Sequence, residues 1–156
     1  MIDVTKKFKD AATIAEYEFA YGRKDIQNWE ATRSVSLSAG EIVLLVFPFI
    51  ETAEIDNSII HKWSVSTQLW LGKKFETEVI EEIIVQTTYA QLDETELQKY
   101  DRRLQTLRSN METLIKTIFC NDPELELTNA RIFREINQFD ENLDFVTCEI
   151  TFLYDS

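Results

Sequence analysis

The sequence predicts an α+β fold: a mostly antiparallel β-sheet covered by one long α-helix, about residues 93–119, with a short N-terminal helix and a C-terminal β-hairpin. Three observations carry that reading. One stretch has a helical apolar stripe with a signal at each end, several runs before it have strand character, and two alternating runs follow it. Strands grouped around one long helix fit an α+β layer better than a doubly wound parallel sheet.

The long helix organises the chain. Leu97, Tyr100, Leu104, Leu107, Met111, Leu114 and Ile118 recur at steps of three and four, which draws one apolar stripe along a helix. Asp93 can cap the first free amides, Glu96 can reach back to the capping backbone, and Leu92 can pack on Leu97 as a hydrophobic staple. Asn121, Asp122 and Pro123 mark the end, since Pro lacks the amide that would continue the ladder. A coiled-coil seam would share the stripe, but Asp101, Arg108 and Ile115, with Arg103, Asn110 and Thr117, show no consistent complementary charge along its flanks.

Ahead of that helix, Val4, Phe8, Ala11, Ala12 and Ala15 fall at helical spacing, with Asp3 or Thr5 as caps, so Asp3 to Ile14 is predicted to be a short helix. Tyr17, Phe19 and Tyr21 then alternate with Glu16, Glu18 and Ala20 as in a strand, which Gly22 with Arg23 and Lys24 ends. Arg23 to Gly40 is polar apart from Ile26, Trp29, Val35 and Leu37 and is expected to be an ordered loop or an extended arm. Trp29 either tucks against its own domain or anchors a partner. Glu41 to Ile50 has no polar face from Ile42 to Phe47, as in an interior strand covered on both sides, and Pro48 stops its pairing. After a polar loop, Glu51 to Ser58, a second strand points Trp63, Val65, Thr67, Leu69 and Leu71 one way and Lys62, Ser64, Ser66, Gln68 and Trp70 the other. Trp70, on the polar side, either meets a neighbouring subunit or packs under a loop.

Gly72 to Gln91 mixes a helical step at Val79, Ile80, Ile83 and Ile84 with strand composition from Ile83 to Tyr89, so it is an extra hairpin arm or a short helix. Past the organising helix, Leu127 to Asn137 places Ile132 and Ile136 opposite Phe133, and Phe145 to Tyr154 places Val146, Cys148, Ile150, Phe152 and Tyr154 together. Joined through Gln138 to Asp144, these two runs form the C-terminal hairpin. No repeat, Gly/Ser linker or low-complexity segment divides the chain, so residues 1–156 read as a single domain, with 23–40 and 72–91 as the candidates for arms or insertions.

Composition excludes more functions than it assigns. With 28 acidic and 16 basic residues the formal charge is -12, which gives no global support to gripping nucleic acid through its phosphates. The longest apolar run, Ile42 to Ile50, is well short of the roughly 20 residues of a membrane-spanning helix, and Met1 to Asp10 is too charged for a signal peptide. A soluble protein made in the cytosol is therefore expected. Cys120 and Cys148 lack metal-ligand spacing and are expected to be buried small hydrophobes. His61, the only histidine, excludes a multi-histidine metal site and reads as a strand-edge residue beside Trp63. Asp140, Asn142 and Asp144 resemble the opening of a calcium loop, but Phe145 stands where the loop needs Gly and Thr151 where it needs an acid, so an acidic hairpin turn is the better reading. Three glycines, at 22, 40 and 72, cannot build a phosphate loop.

No catalytic constellation emerges, so the chain is expected to be non-enzymatic, with no catalytic residue, no metal and no cofactor. The candidate interface residues are Trp29, Trp70, Arg102 and Arg103. The two arginines, with Lys99, Arg108 and Lys116, concentrate basic charge on the organising helix, either as a solvated face with local ion pairs or as a docking face for an acidic neighbour.

The layout and several strings resemble the tail-terminator-like and neck or ring structural proteins of tailed bacteriophages, of the Bacteroidetes-phage type. The strings are "YEFAYGRKDIQNW" after the first helix, the apolar strand "EIVLLVFPF", the long helix, and "REINQFDENLDFVTCEITFLYDS" at the end. The resemblance implies a homo-oligomeric ring in the virion neck, as tail terminator or collar, beside other phage neck and tail proteins. DNA would pass through its lumen without specific binding, and no membrane would be involved. No residue-specific site carries over from that family. The alternative from another class is a small acidic monomeric binding or inhibitor protein of the DNA-mimic type.

Overall fold

The computed structural model describes residues 3–32, 38, 40–74, 104–138 and 143–155. Among them the chain forms α1 (Val4–Ile14), β1 (Glu18–Tyr21), α2 (Gly22–Thr32), β2 (Ile42–Val46), β3 (Ile50–Asp56), β4 (Ile59–Lys74), α3 (Gln105–Phe119), β5 (Leu125–Gln138) and β6 (Leu143–Asp155). The strands make one six-stranded sheet in the order β1-β2-β4-β6-β5, with β3 also on β4. All pairs are antiparallel except β1 with β2. The α+β class and the mostly antiparallel sheet are as the sequence predicts.

β4 and β6 are the spine, paired continuously from Lys62 opposite Asp155 to Lys74 opposite Leu143. The other edge of β4 is shared by two strands in succession, β2 against Leu69–Lys73 and β3 against Ile59–Ser66. The ladder breaks between them at 47–49, where Pro48 has no amide to donate. The single strand expected from Glu41 to Ile50 is thus all of β2, a proline break and the first residue of β3.

Alternation along these strands divides the side chains between two cores. Leu44, Val46, Val65, Leu69, Leu71, Val146, Cys148, Ile150 and Phe152 face α1 and α3. Val43, Leu45, Leu143 and Phe145 face the other way, onto Ile26 and Trp29 of α2. β2 is therefore covered on both sides, which is why Ile42 to Val46 shows no polar alternation.

Helix α1 begins where Asp3 accepts a hydrogen bond from the Lys6 amide at 3.0 Å, and it buries Val4, Phe8, Ala11 and Ala12. It ends in a Schellman-type closure, with the Tyr17 amide donating to the Ala12 carbonyl at 2.8 Å and Glu16 in the left-handed region at φ 61°. Lys7 pairs with Asp122 and, at 2.8 Å, with Glu124, which ties α1 to the turn after α3. Burial pushes the Asp122 carboxyl up, but hydrogen bonds from Lys7 and the Glu124 amide, with the Lys7 charge, outweigh it and leave the group below its usual range.

Two expectations are corrected and one is described in part. Of the organising helix expected over about 93–119, α3 is the described part, 15 residues from Gln105 to Phe119, and 92–103, with the expected Asp93 cap, lie outside the described residues. Its buried set also includes Ile115 and Phe119, so the apolar face is wider than a coiled-coil seam, as a helix lying on a sheet requires. The segment from Arg23, expected to be a loop or arm, is helical to Thr32: Ile26 and Trp29 sit one turn apart on a polar helix and seal a small patch of sheet. Gly22, at φ 81°, makes the abrupt joint between β1 and α2. The polar loop expected from Glu51 to Ser58 is strand β3 and the tight turn at Asn57 and Ser58, both of which have positive φ.

Candidate functional site

Beyond the reach of β6, β3 and the start of β4 continue as a two-stranded limb. The ladder to β6 starts at Lys62, so Ile59 and Ile60 pair with β3 alone, with His61 at the register shift between them and Lys62. A limb with solvent on both faces needs no apolar side, which explains the polarity of Glu51 to Asp56. Yet three isoleucines are exposed here, Ile55 by 65%, Ile59 by 59% and Ile60 by 39%, and Ile50, exposed by 70%, lies at the other end of β3 opposite Ser66. Ile55 and Ile60 are direct cross-strand partners, beside a bulge that follows Glu54. The limb carries Glu51, Glu54 and Asp56 and no basic residue between 50 and 60. At its base the Tyr154 hydroxyl donates to the Glu51 carboxylate at 2.9 Å; burial, then that carboxylate, pushes the phenol up.

A groove of about 490 Å³ lies on the α2 side of the sheet, at the junction of β2, β3, β4, β6 and β5. Phe47, Pro48 and Ile50 form an apolar wall, Ser66, Gln68 and Thr151 a polar floor, and Arg23 and Arg131 contribute two cations against Glu149. Arg131 lies 4.0 Å from Glu149 and sits over the Phe133 ring at 5.3 Å, with most of its side chain in solvent. Thr67 fixes the corner by donating to the Phe47 carbonyl at 2.6 Å.

The residues singled out from sequence are not brought together. Trp29 is 6% exposed, wedged between α2 and the sheet, and its indole N–H donates to Glu18 at 3.1 Å, so almost none of its ring is left for a partner. Trp70 packs on Phe47 and Phe145 at 5.2 and 5.7 Å, donates to Gln68 at 3.3 Å, and is half-buried. Arg102 and Arg103 lie outside the described residues, as do 75–91. On the exposed side of α3, Arg108 and Lys116 both pair with Glu112, at 3.0 and 3.5 Å, a local ion-pair pattern of the solvated kind. Of the calcium-like string, Asp140 and Asn142 lie outside the described residues, while Asp144 is buried within β6 opposite Lys73 and belongs to the strand, not the turn. Cys148 is buried and its thiol is pushed up to about 11 by burial, whereas Cys120 is exposed just past α3, contrary to the burial expected of both.

Among the described residues no group of three or more His, Cys, Asp or Glu is placed to hold a metal ion, and no helix is long and apolar enough to cross a membrane. The arrangement defines a sheet protein with a projecting hairpin and an open, mixed-charge groove. The chain matches no protein-family model and no curated protein at a significant level.

The limb and the groove both escaped the reading of the sequence. Their signal was the pair Asn57-Ser58 set between two short Ile-containing runs, a two-residue hairpin turn without the glycine that usually marks one.

Proposed function

We propose that this chain is a non-enzymatic virion structural protein of a tailed bacteriophage, closing into a homo-oligomeric ring at the neck as a tail terminator or collar. The observation that carries the reading is the β3–β4 limb, because exposed isoleucines on a projecting hairpin are a surface in want of a protein partner. The order of elements supports it: an N-terminal helix, an apolar strand, a helix laid on the sheet and a closing hairpin follow the layout of the family that the sequence resembles. The charge of -12 suits a lumen through which DNA passes without adhering.

Native mass spectrometry of the pure protein and negative-stain images of the protein and of virions that contain it test this reading. A closed ring whose mass is one integer multiple of the subunit mass is expected. Monomers by mass and no ring in either set of images contradict it. A monomer that binds a basic nucleic-acid-binding protein tightly and in a salt-sensitive way identifies the DNA-mimic alternative instead.

A further inference from the structure

We infer that the tip of the β3–β4 hairpin of one copy docks in the Arg23/Arg131 groove of a second copy of this chain. The inference rests on the ring reading and deepens it by naming the two surfaces. The tip offers the exposed pair Ile55 and Ile60 on one face and exposed Ile59 with its cross-strand partner Asp56 on the other, with Glu54 next in line opposite Lys62, so it is apolar on both faces and acidic at Asp56. The groove offers Phe47, Pro48 and Ile50 with Arg23 and Arg131 against the single acid Glu149, an apolar surface with a net positive charge. Against a chain of net charge -12, a groove lined by two arginines and one acid is a local reversal of sign, and Asp56 at the tip is its complement.

The occupant must come from another molecule. The tip at Asn57 and Ser58 is separated from the groove residues Ser66 to Gln68 by eight or more residues of continuous strand, about 26 Å at strand rise, and the paired ladder cannot fold back over that span. Two different surfaces of one chain that fit each other make a head-to-tail contact, which repeats until it closes as a ring or extends as a filament.

The test uses two variants and their mixture. The hairpin variant carries Ile55→Ser with Asp56→Lys, and the groove variant carries Arg23→Glu with Arg131→Glu. All four positions are exposed, so each variant keeps the wild-type circular dichroism spectrum and a cooperative melt; the groove variant melts a few degrees lower, because Arg131→Glu sets a second carboxylate directly opposite Glu149. By sedimentation velocity at about 100 µM, where a micromolar contact is close to saturated, wild-type protein assembles and each variant alone is largely monomeric, its self-association weakened by at least about a thousandfold, to a Kd in the millimolar range. A 1:1 mixture gives a dimer and nothing larger, because only one intact tip and one intact groove remain in any pair. Arg131→Lys, which keeps the charge, assembles like wild type. Assembly of both variants overturns the hairpin–groove contact and leaves the ring reading standing. Wild-type protein that stays monomeric at this concentration also overturns the contact, and the virion images then decide the ring reading separately.

Discussion

Leu107→Asp protein is expected to show no cooperative thermal unfolding transition. Leu107 is 1% exposed on the inner side of α3, in the same core as Leu104, Met111 and Leu114. Removing its side chain alone costs about 2–5 kcal/mol, and placing a carboxyl there adds either the desolvation of a charge or the cost of holding the acid neutral, about 2 kcal/mol or more. That sum approaches the whole stability of an ordinary domain, about 5–15 kcal/mol. The matching control is Ser109→Asp two residues away on the exposed side of the same helix, where the melt stays within about 2 °C of wild type because a surface change is worth about 0.5 kcal/mol. A cooperative melt in Leu107→Asp by calorimetry contradicts the placement of α3 as the cover of the sheet.

Gly72→Val is expected to destabilise the fold for the opposite reason. Gly72 lies in β4 directly opposite Phe145 of β6, and the Phe145 ring lies across it. A Cβ at this position would sit 2.3 Å from Cε1 and 2.5 Å from Cζ of that ring, well inside contact distance. The ring has nowhere to retreat, since Phe145 is fully buried in the second core, with Trp70 on it at 5.7 Å. Overpacking of this kind costs about 3 kcal/mol for the first methyl of Gly72→Ala, and the branched valine adds to it. A fall in melting temperature of at least about 6–12 °C for Gly72→Val follows for a chain of this size. An unchanged melt for Gly72→Ala shows instead that the ring lies elsewhere.

What the sequence made legible is what two-sided physics writes into it. A helix that buries one face leaves a period of three to four, so the α1 stripe of Val4, Phe8, Ala11 and Ala12, and the Leu107 to Ile118 stripe of α3, could be read directly. The alternation of Val146 to Tyr154 gave the closing hairpin and its inward face, and the unbroken run Ile42 to Val46 gave a strand covered twice. α2 was illegible because, among its described side chains, Ile26 and Trp29 alone are buried on an otherwise polar helix, too few apolar residues to draw a stripe. β3 was illegible because a limb in solvent buries no face at all, and its turn uses Asn57 and Ser58 where a glycine would have announced it. The same lack of burial that hid β3 from a pattern reading is what makes its isoleucines informative once the fold is known. The groove was hidden for another reason: Arg23, Phe47, Gln68 and Arg131 come from four separate elements that meet only in the folded sheet.

The hairpin–groove contact is tested most directly by a disulfide cross-link between two distinguishable chains. One carries Asp56→Cys and the other Arg131→Cys, both in a Cys120→Ser background; Cys148 stays, since it is buried and its thiol, pushed up to about 11, is unreactive at neutral pH. Under mild oxidation of an equimolar mixture, the hairpin–groove contact predicts covalent dimers that join one chain of each kind, read by intact-mass spectrometry. Mixtures that stay uncross-linked, or that join like chains to like, contradict it.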